Sequence, residues 1–576
     1  MKFFRKFTTL FFIAMLAAAL TAVFPAGSVH AEDSSKPAFT VGSKTLYVGY
    51  KSYYTEIPQT TETAVITYKS SDKKVAVVDE DGKISPVAPG TADISAVIKQ
   101  NGKKYTTKMK VTVKNPYSKI SVSTEGISVG SSFRFELTRY GHREPVTWTL
   151  DGTQYASISA GSSTDCILKG IAPGIVTLKA ETNGSVFSMK VRICEGTGKV
   201  YFISPDSDPY YPSYKKYGTY NKNTRHYYLL RSYLEYFDKA GGGVLVLKKG
   251  TYTITNTLCI PSNTTILLED GAKILKSYET GTTALTYTRS LFQTVSYTNS
   301  SKAGVFSGYT GERNIKILGE GNACIDLNNL NCAGVVVAHC SNLKISGLRF
   351  LNMNTNHFIE LDAAYNVTIS GNYFSGYTVS STTRKEAINL DTPDQNTGGF
   401  NQNWTSYDGT PNLNVFITDN VFYNLEAAVG THKYTADKPH SNIQVLRNTF
   451  IDIHTYAVRC MNWKNSLIRD NTIMLTEAPE EERIGIICNG ITNTTITANR
   501  FERYTIPVSL YHWQNQGSGS IYGPIYNDLS KDNILAVRKN YVYNCQNNYV
   551  EYYNEFDDFS EENLTKCGIF DSYLLD

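Results

Sequence analysis

Carboxylate and imidazole side chains recur where short apolar strands are predicted to end in the second half of the chain. The stretch "EAINLDTPDQ" (386–395) begins as a buried strand and then places Asp391 and Asp394 where the strand should turn. Asp362 ends the similar stretch "FIELD", and His432 ends "AVGTH". Cleavage of a glycosidic bond needs one protonated carboxyl and one ionised carboxylate. Paired strand-end aspartates could supply both.

A structural role for the same residues stays open. Strand-end aspartates commonly cap a turn through their own side chain, and Asp362 and Asp391 could each do so. Glu386 is predicted to point inward and to stack with His357 and Tyr456, which allows either a buried hydrogen bond or a catalytic role. The elements that position these side chains must therefore be predicted first.

Repeated asparagines predict a solenoid of parallel strands. Segments such as "NIKILGE", "NLKISGLRF" and "NVTISGNYF" share one asparagine column: Asn314, Asn342, Asn366, Asn414, Asn442, Asn465 and Asn493. Six positions later a second column holds Asn372, Asn420, Asn448, Asn471 and Asn499, followed two residues on by Phe374, Phe422, Phe450, Ile473 and Phe501. Successive parallel strands use such ladders to pair amide groups and fill a narrow core.

The strand before each repeat can be aligned in the same way. The predicted inward column is Val336, Ile359, Ile388, Val429, Val458, Ile486 and Val508. Alternation then predicts one outward stack of Val337, Glu360, Asn389, Gly430, Arg459, Ile487 and Ser509. The second outward stack is His339, Asp362, Asp391, His432, Met461, Asn489 and Tyr511.

This alignment places two carboxylates side by side. Stacked strands lie about 4.8 Å apart, so Asp362 and Asp391 should be neighbours. His339 and His432 should flank them, with Glu360 and Arg459 alongside. Two such close carboxylates should push one pKa up, which suits catalysis or a metal ion.

The largest insertion of the repeat region borders the same face. It follows Asp391 as "TPDQNTGGFNQNWTSYDGTPN", and insertions in solenoids usually build the binding face. Trp404 lies within the insertion, while Trp463 and Trp513 follow later strands, so all three could stack on sugar rings. Lys433, next to His432, is expected on the same side.

Composition limits the class of partner. The 576 residues carry a net charge of +4 with 19% charged residues, so no basic excess points to nucleic acid. Most of the ten cysteines are expected to be small core residues. Cys545 and Cys567 form the one pair that we would test as a disulfide.

The N-terminal residues 1–31 predict a secretory signal peptide. Lys2, Arg5 and Lys6 precede an apolar run that ends in "VHA" at Ala31. No later apolar run reaches the roughly 20 residues that span a bilayer. The mature protein is therefore expected to be secreted and extracellular, without membrane insertion.

Two β-sandwiches are predicted next, over residues 36–114 and 115–195. The first, with "SSDKKVAVVDEDGKI" and "APGTADISA", resembles the bacterial Ig-like group 2 family. The second is a more divergent copy, with "VTWTLDG" around Trp148 and "KGIAPGIVTLKA". The resemblance implies spacer or adhesion modules, which could contact a cell surface or glycan.

Residues 196–576 resemble the right-handed parallel β-helix of the pectate lyase-like superfamily. An amphipathic helix at about 225–239, a Gly run and a "KKGTY" turn look like its N-terminal cap. The expected fold class is therefore all-β, with two Ig-like sandwiches followed by a β-helix with a capping helix. The motif sets "NTD", "DD" and "GHG" of polygalacturonases are missing, so the resemblance does not fix the reaction.

The first functional hypothesis is a glycoside hydrolase that cleaves a polysaccharide without a cofactor. Asp391 and either Asp362 or Asp394 would act as acid and base. His432 would assist at the catalytic site. The predicted substrate-binding residues are Arg459, Glu360, Lys433, Trp404, Trp463 and Trp513.

Two alternatives remain. A polysaccharide lyase would hold Ca²⁺ through Glu360, Asp362 and Asp391, and Lys433 or Arg459 would remove a proton. A non-catalytic adhesin would bind a polysaccharide or complex glycan on its β-helix and release no product.

Overall fold

The computed structural model describes residues 36–115, 118–121, 124–140, 145–162, 164–182, 184–379, 385–511, 513, 523–547, 549–553 and 564–569. The predicted signal peptide lies outside them and stays a prediction. The side chain of Cys567 also lies outside them, while Cys545, the other member of the pair named above, is a free thiol. Eight other cysteines are buried free thiols, as expected for core residues: Cys166, Cys194, Cys259, Cys324, Cys332, Cys340, Cys460 and Cys488. Within these ranges no helix is both long and apolar enough to cross a membrane.

The chain divides into two compact units. One comprises the residues up to 118 together with 139–143, and the other comprises 119–138 and 144–576. The first unit holds a sandwich of a four-stranded and a three-stranded sheet. Its strands are Ser43–Tyr47, Tyr53–Tyr54, Val65–Ser70, Ala76–Val78, Lys83–Pro86, Gly90–Gln100 and Lys103–Lys114.

The next module consists of two four-stranded sheets packed around Phe135, Leu168 and Val191. Its strands are Ser118–Ser121, Gly126–Ser128, Ser132–Arg139, Thr147–Asp151, Ala156–Ala160, Asp165–Gly170, Gly174–Thr182 and Ser185–Cys194. The alternating apolar and polar residues of these strands bury one face of each sheet. That this module is Ig-like stays a prediction.

From Val200 onwards, the described residues form a parallel β-helix of three long sheets. Sheet 1 comprises Val200–Ile203, Gly243–Leu247, Thr264–Leu268, Arg313–Gly319, Ser341–Ser346, Tyr365–Ser370, Leu413–Thr418, His440–Leu446, Trp463–Lys464, Leu467–Arg469 and Thr495–Thr497. Sheet 2 comprises Gly250–Ile254, Ala272–Lys276, Cys324–Asp326, Arg349–Asn354, Tyr373–Thr378, Val421–Leu425, Thr449–Ile453, Thr472–Met474, Arg500–Glu502 and Tyr541–Tyr543.

Sheet 3 carries the residues singled out for chemistry. It comprises Leu258–Cys259, Ser290–Gln293, Ala333–Ala338, Ile359–Asp362, Glu386–Asp391, Ala427–Gly430, Tyr456–Met461, Ile484–Asn489, Ile506–Tyr511, Tyr549–Tyr553 and Leu564–Ile569. All of these pair in parallel except the last, which is antiparallel to its neighbour. Helix α1 (Arg225–Ala240) packs against the first coil, and a 3₁₀-helix (Pro212–Lys216) and helix α2 (Lys531–Val537) complete the elements.

Both predicted asparagine ladders are present. The exposed ladder runs through side-chain hydrogen bonds such as Asn342 to Asn314 at 3.0 Å and Asn442 to Asn414 at 2.8 Å. Its members have positive φ angles, which asparagine tolerates better than most residues. The second ladder is buried, and the Asn420 amide donates to Asn448 Oδ1 at 3.0 Å.

The predicted register of sheet 3 is confirmed from Ile359 onwards. Ile359 pairs with Ile388, and Asp362 pairs with Asp391. One strand earlier the prediction was wrong by one residue, because Val335 rather than Val336 is opposite Ile359. Both faces of that strand are apolar, so alternation could not fix its register.

Candidate functional site

A cavity of about 490 Å³ lies on the outer side of sheet 3. The insertion after Asp391 forms part of its wall through residues 398–402, as its position in the sequence predicted. The ionisable groups of the lining are Arg289, His357, Glu360, Lys385, Asp391, His432 and Lys433. Hydroxyl and amide groups come from Thr257, Thr288, Ser290, Gln293, Asn356, Asn401 and Gln402.

Asp391 is held at the end of its strand by the next coil. Its Oδ1 accepts hydrogen bonds from the main-chain N–H groups of His432 at 3.1 Å and Lys433 at 3.0 Å. Its Oδ2 lies 3.4 Å from His432 Nε2. The side chain of Asp391 therefore has a fixed orientation beside the imidazole, and the predicted proximity of these two residues is confirmed.

Glu386 lies on the other side of the same imidazole. Its Oε2 is 3.2 Å from His432 Nδ1 and 3.9 Å from His357 Nδ1. Its Oε1 accepts a hydrogen bond from the Tyr456 hydroxyl at 2.6 Å. The predicted stacking of Glu386 with His357 and Tyr456 is confirmed, but its inward orientation is not, because its carboxylate reaches His432 on the cavity wall.

The strand corner explains this orientation. Ala387 and Ile388 are consecutive, yet both belong to the main core of the β-helix. Alternation is therefore broken at the corner, and Glu386 lies on the outer side. Gly430 leaves space for it, since a Cβ at that position would approach Glu386 Cγ to 3.2 Å.

The charges of this cluster depend on one another. Burial alone would raise the pKa of Glu386, but the adjacent His432, His357 and Tyr456 lower it overall. Burial would lower the pKa of His432, but the carboxylates of Asp391 and Glu386 raise it. Burial lowers the pKa of His357 to about 3, so its imidazole is neutral at physiological pH.

Glu360 is the second carboxyl group on the cavity wall. Burial, reinforced by the charge of Asp391, raises the pKa of Glu360 to about 7. Near neutral pH a substantial fraction of this carboxyl is therefore protonated. Lys433 also lines the cavity, and its ammonium donates to the carbonyl oxygen of Gly398 at 2.5 Å.

The other two predicted catalytic aspartates do not line the cavity. Asp362 is fully buried, and neither of its oxygens has a hydrogen-bond partner among the described residues. Asp394 forms a turn, in which its Oδ1 accepts from the Asn396 N–H and its Oδ2 accepts from the Thr435 hydroxyl, both at 2.8 Å. A catalytic role for either residue does not fit these positions.

Two of the three predicted sugar-stacking tryptophans are core residues. Trp404 packs with Phe306 and Phe400 and is 1% exposed, while Trp463 is fully buried in the main core. Trp404 donates to Gln293 Oε1 at 3.3 Å, and Trp463 donates to Thr431 Oγ1 at 2.9 Å. They support the cavity wall from behind rather than binding a sugar ring.

Arg459, Trp513 and His339 lie beside or away from the cavity lining. The Arg459 guanidinium is 5.3 Å from the centre of the Trp513 ring and donates to Asn489 Oδ1 at 3.2 Å. His339 is buried, and its Nε2 lies 2.6 Å from Thr405 Oγ1. His339 thus holds the insertion against sheet 3. Ala338 rather than His339 is opposite Asp362, although the main-chain N–H of His339 donates to the Asp362 carbonyl oxygen at 3.0 Å.

The carboxylates expected to hold Ca²⁺ do not form a site of the predicted kind. In the described ranges, the group of His, Cys, Asp and Glu side chains with ligand atoms within 4.8 Å of one another is His357, Glu386 and His432. Glu360, Asp362 and Asp391 are not such a group. Two imidazole nitrogens also suit Ca²⁺ poorly, because this ion prefers oxygen ligands.

The comparison of protein families matches the N-terminal sandwich. Residues 40–108 match the bacterial Ig-like domain (group 2) family. The first module is a group 2 Ig-like domain. The resemblance predicted for this module is therefore confirmed.

Searches of known proteins and solved structures give further similar chains. The Plasmin and fibronectin-binding protein A of Streptococcus pneumoniae (strain ATCC BAA-255 / R6) is 25% identical over 253 residues, which is 40% of this chain. The chain spans about a third, 34%, of the length of that relative. The crystal structure of PfbA, a surface adhesin of Streptococcus pneumoniae, covers 60% of this chain and 81% of its own with a TM-score of 0.44 at 18% identity.

A second structure gives a similar result. The structure of the Streptococcus pneumoniae surface protein and adhesin PfbA covers 56% of this chain and 87% of its own, with a TM-score of 0.41 at 17% identity. Its identity to this chain is low.

Sequence reasoning missed several residues of the cavity. The strand alignment predicts only the stacking of His357 and Glu386, although their position at the strand corner gives them access to His432. Lys385 and Arg289 were not considered. Arg289 directly precedes the strand Ser290–Gln293, and the stacking of coils in sheet 3 brings it to this cavity.

Proposed function

We propose that this protein is an extracellular binding protein of the adhesin type, whose β-helix binds a glycan in the cavity beside sheet 3. The cavity is the observation that carries the proposal. Its volume of about 490 Å³ falls within the range typical of ligand sites. The relative named for binding plasmin and fibronectin supports a binding role.

The lining of the cavity suits a ligand rich in hydroxyl groups. Amides of Gln293, Asn401 and Gln402 can both donate and accept hydrogen bonds. Gln293 is itself held by hydrogen bonds with Trp404 and Gln402, at 3.3 and 3.1 Å. Such fixed polar groups lose little conformational freedom on binding.

Glycan binding can be tested with full-length protein on an array of neutral and acidic glycans. The variant Asn401→Ala/Gln402→Ala removes two cavity amides, and we expect it to weaken binding about tenfold or more. Asn396→Ala is the matched control, since this exposed asparagine lies on the same insertion outside the cavity. Equal binding by both variants would contradict the proposed site.

Protein ligands form a separate arm of the same experiment. Immobilised fibronectin and plasmin are offered to wild-type protein and to both variants. Binding to these proteins that survives the cavity variant would move the adhesin surface away from the cavity. Binding to neither glycans nor proteins would reject the adhesin function.

A glycoside hydrolase is the second candidate, and one observation favours it. Glu360 and Asp391 present two carboxyl groups to the same cavity. The burial that favours protonated Glu360 also favours the state that a general acid needs. The reaction would then use Glu360 as acid in place of Asp362 or Asp394.

This candidate is tested by following new reducing ends from a panel of polysaccharides. Glu360→Gln should lower the rate at least about 100-fold, because it removes the acidic proton. Asp394→Asn, on the insertion after Asp391 but outside the cavity lining, should retain activity. Absence of product from wild-type protein across the panel would leave the binding function alone, and UV-absorbing unsaturated ends would indicate a lyase.

A further inference from the structure

Three side chains on consecutive coils of sheet 3 bring their ligand atoms together at the cavity wall. His357 precedes the strand Ile359–Asp362, Glu386 begins the strand Glu386–Asp391, and His432 follows the strand Ala427–Gly430. One nitrogen from each imidazole and one carboxylate oxygen lie within 4.8 Å of one another. Because parallel strands fix the spacing of the coils, this grouping belongs to the rigid part of the fold.

Contacts with neighbouring groups already orient the three side chains. Tyr456 donates to Glu386 Oε1 at 2.6 Å. His357 Nδ1, which is 3.9 Å from Glu386 Oε2, also lies 2.6 Å from the main-chain oxygen of Glu386. A main-chain oxygen can only accept, so Nδ1 carries the proton and Nε2 is the nitrogen with a lone pair for a metal ion. His432 Nε2 faces Asp391 Oδ2 at 3.4 Å. Metal-bound histidines typically have such partners on their second nitrogen.

The atoms that point into the grouping lack partners. Glu386 Oε2 and His432 Nδ1 are buried and have no hydrogen-bond partner among the described residues. They lie 3.2 Å apart. When His432 Nε2 carries a proton for Asp391, Nδ1 presents a lone pair to the Glu386 carboxylate. Two facing lone pairs repel, so this contact needs either a second proton on the His432 imidazole or a metal ion between the two atoms.

We propose that His357, Glu386 and His432 bind one divalent first-row transition-metal ion. Two imidazole nitrogens with one carboxylate oxygen form a ligand set that suits Zn²⁺ and its neighbours rather than Mg²⁺ or Ca²⁺. Asp391 would orient His432 from the second coordination shell. Since His357 and His432 line the cavity, a remaining coordination position would face it and could take a water or a ligand oxygen.

The proposal does not depend on glycan binding or hydrolysis. It concerns only the affinity of these three side chains for a metal ion. The amides varied in the glycan test, Asn401 and Gln402, are not ligands. Loss of one function can therefore be told apart from loss of the other.

The experiment uses untagged full-length protein dialysed against a chelator. Zn²⁺ is titrated by calorimetry, the bound metal is counted by elemental analysis, and Co²⁺ is added as a spectroscopic probe of coordination. We expect one ion per chain. His357→Gln, Glu386→Gln and His432→Gln should each weaken Zn²⁺ binding by about 100-fold or more, and Asp391→Asn by about 10- to 100-fold.

His454→Gln is the matched control, because this histidine binds the Asn424 side chain outside the cluster, at 3.0 Å. It should bind Zn²⁺ like wild type. Far-UV circular dichroism checks that each variant is folded, and the Co²⁺ spectrum of wild-type protein tests the site without any substitution. Failure of wild-type protein to bind either ion at one per chain overturns the proposal, as does unchanged affinity in all three ligand variants.

Discussion

Asp362 carries a fully buried carboxyl group without a hydrogen-bond partner among the described residues. Burial raises its pKa well above the usual value, and the charges of Glu360 and Asp391 add to this shift. The folded state therefore keeps a proton that the unfolded chain releases above pH about 4. The contribution of Asp362 to the free energy of unfolding therefore falls as the pH rises from about 4 towards the raised pKa of the folded state.

Asp362→Asn should remove this pH-dependent penalty. We expect the variant to melt higher than wild type at pH 8, by a few degrees, with a smaller difference at pH 5. Asp394→Asn is the control, since its carboxylate accepts two hydrogen bonds and its loss should cost about 0.5–1.5 kcal/mol. A melting difference for Asp362→Asn that is equal at both pH values would contradict the buried-carboxyl argument.

At the scale of single residues, the sequence predicted which side chains are neighbours better than it predicted which side chains are exposed. The proximity of Asp391 to Asp362 and His432 followed from strand register alone. Burial of Asp362 did not, because alternation gives the outer face of a strand without saying whether a loop covers it. Burial of Trp404 did not either, because Trp404 lies in the insertion, where no alternation applies. The proximity of Glu386 to His432 was hidden by a corner that breaks alternation.

At the scale of elements, the buried asparagine ladder holds successive coils together. Asn420 Oδ1 accepts from the Asn372 main-chain N–H at 2.9 Å, while its Nδ2 donates to the Ile369 carbonyl at 2.9 Å. Asn420→Ala would leave both main-chain groups buried without partners. Each such group costs about 1–3 kcal/mol, so we expect a loss of roughly 2–4 kcal/mol in the free energy of unfolding.

The exposed ladder provides the comparison for Asn420. Asn366 donates to Asn342 Oδ1 at 2.6 Å on the surface, with φ of 56°. Asn366→Gly keeps the positive φ accessible and should cost less than about 1 kcal/mol. Chemical denaturation measures the free energy of unfolding of both variants. Equal losses would show that burial of the ladder does not determine its contribution to stability.

Repetition is the reason why these elements were predictable. Each coil repeats the same asparagine and aromatic positions, so many independent segments agree on one alignment. The strand Ala333–Ala338 has no such support, because apolar residues occupy both of its faces, and its register was missed by one residue. The rest of the site depends on loops, which carry no repeat.

At the scale of the whole second unit, ion pairs join the second sandwich to the β-helix. Arg192 contacts Glu269 and Glu320 at 3.1 and 2.7 Å, and its side chain is only 17% exposed. Glu195 contacts Lys316 and Lys344, both at 2.9 Å. Partly buried networks of this kind contribute more than isolated surface pairs, so the sandwich and the β-helix should unfold together.

Arg192→Met and Glu195→Gln should uncouple the two modules. Each variant keeps most of the side-chain volume but removes one charge from the network, so we expect the single calorimetric transition of the unit to split, with the sandwich melting first. The fluorescence of Trp148, obtained by subtracting the signal of the Trp148→Phe variant, follows the unfolding of the sandwich alone.

Lys179→Met is the control. It breaks an exposed ion pair with Asp151 inside the sandwich, 2.6 Å apart, and should leave a single transition. Because the charges are only partly buried, 1 M salt should also split the transition of wild-type protein. A transition that stays single in both variants and in salt would show that apolar contacts couple the two modules instead.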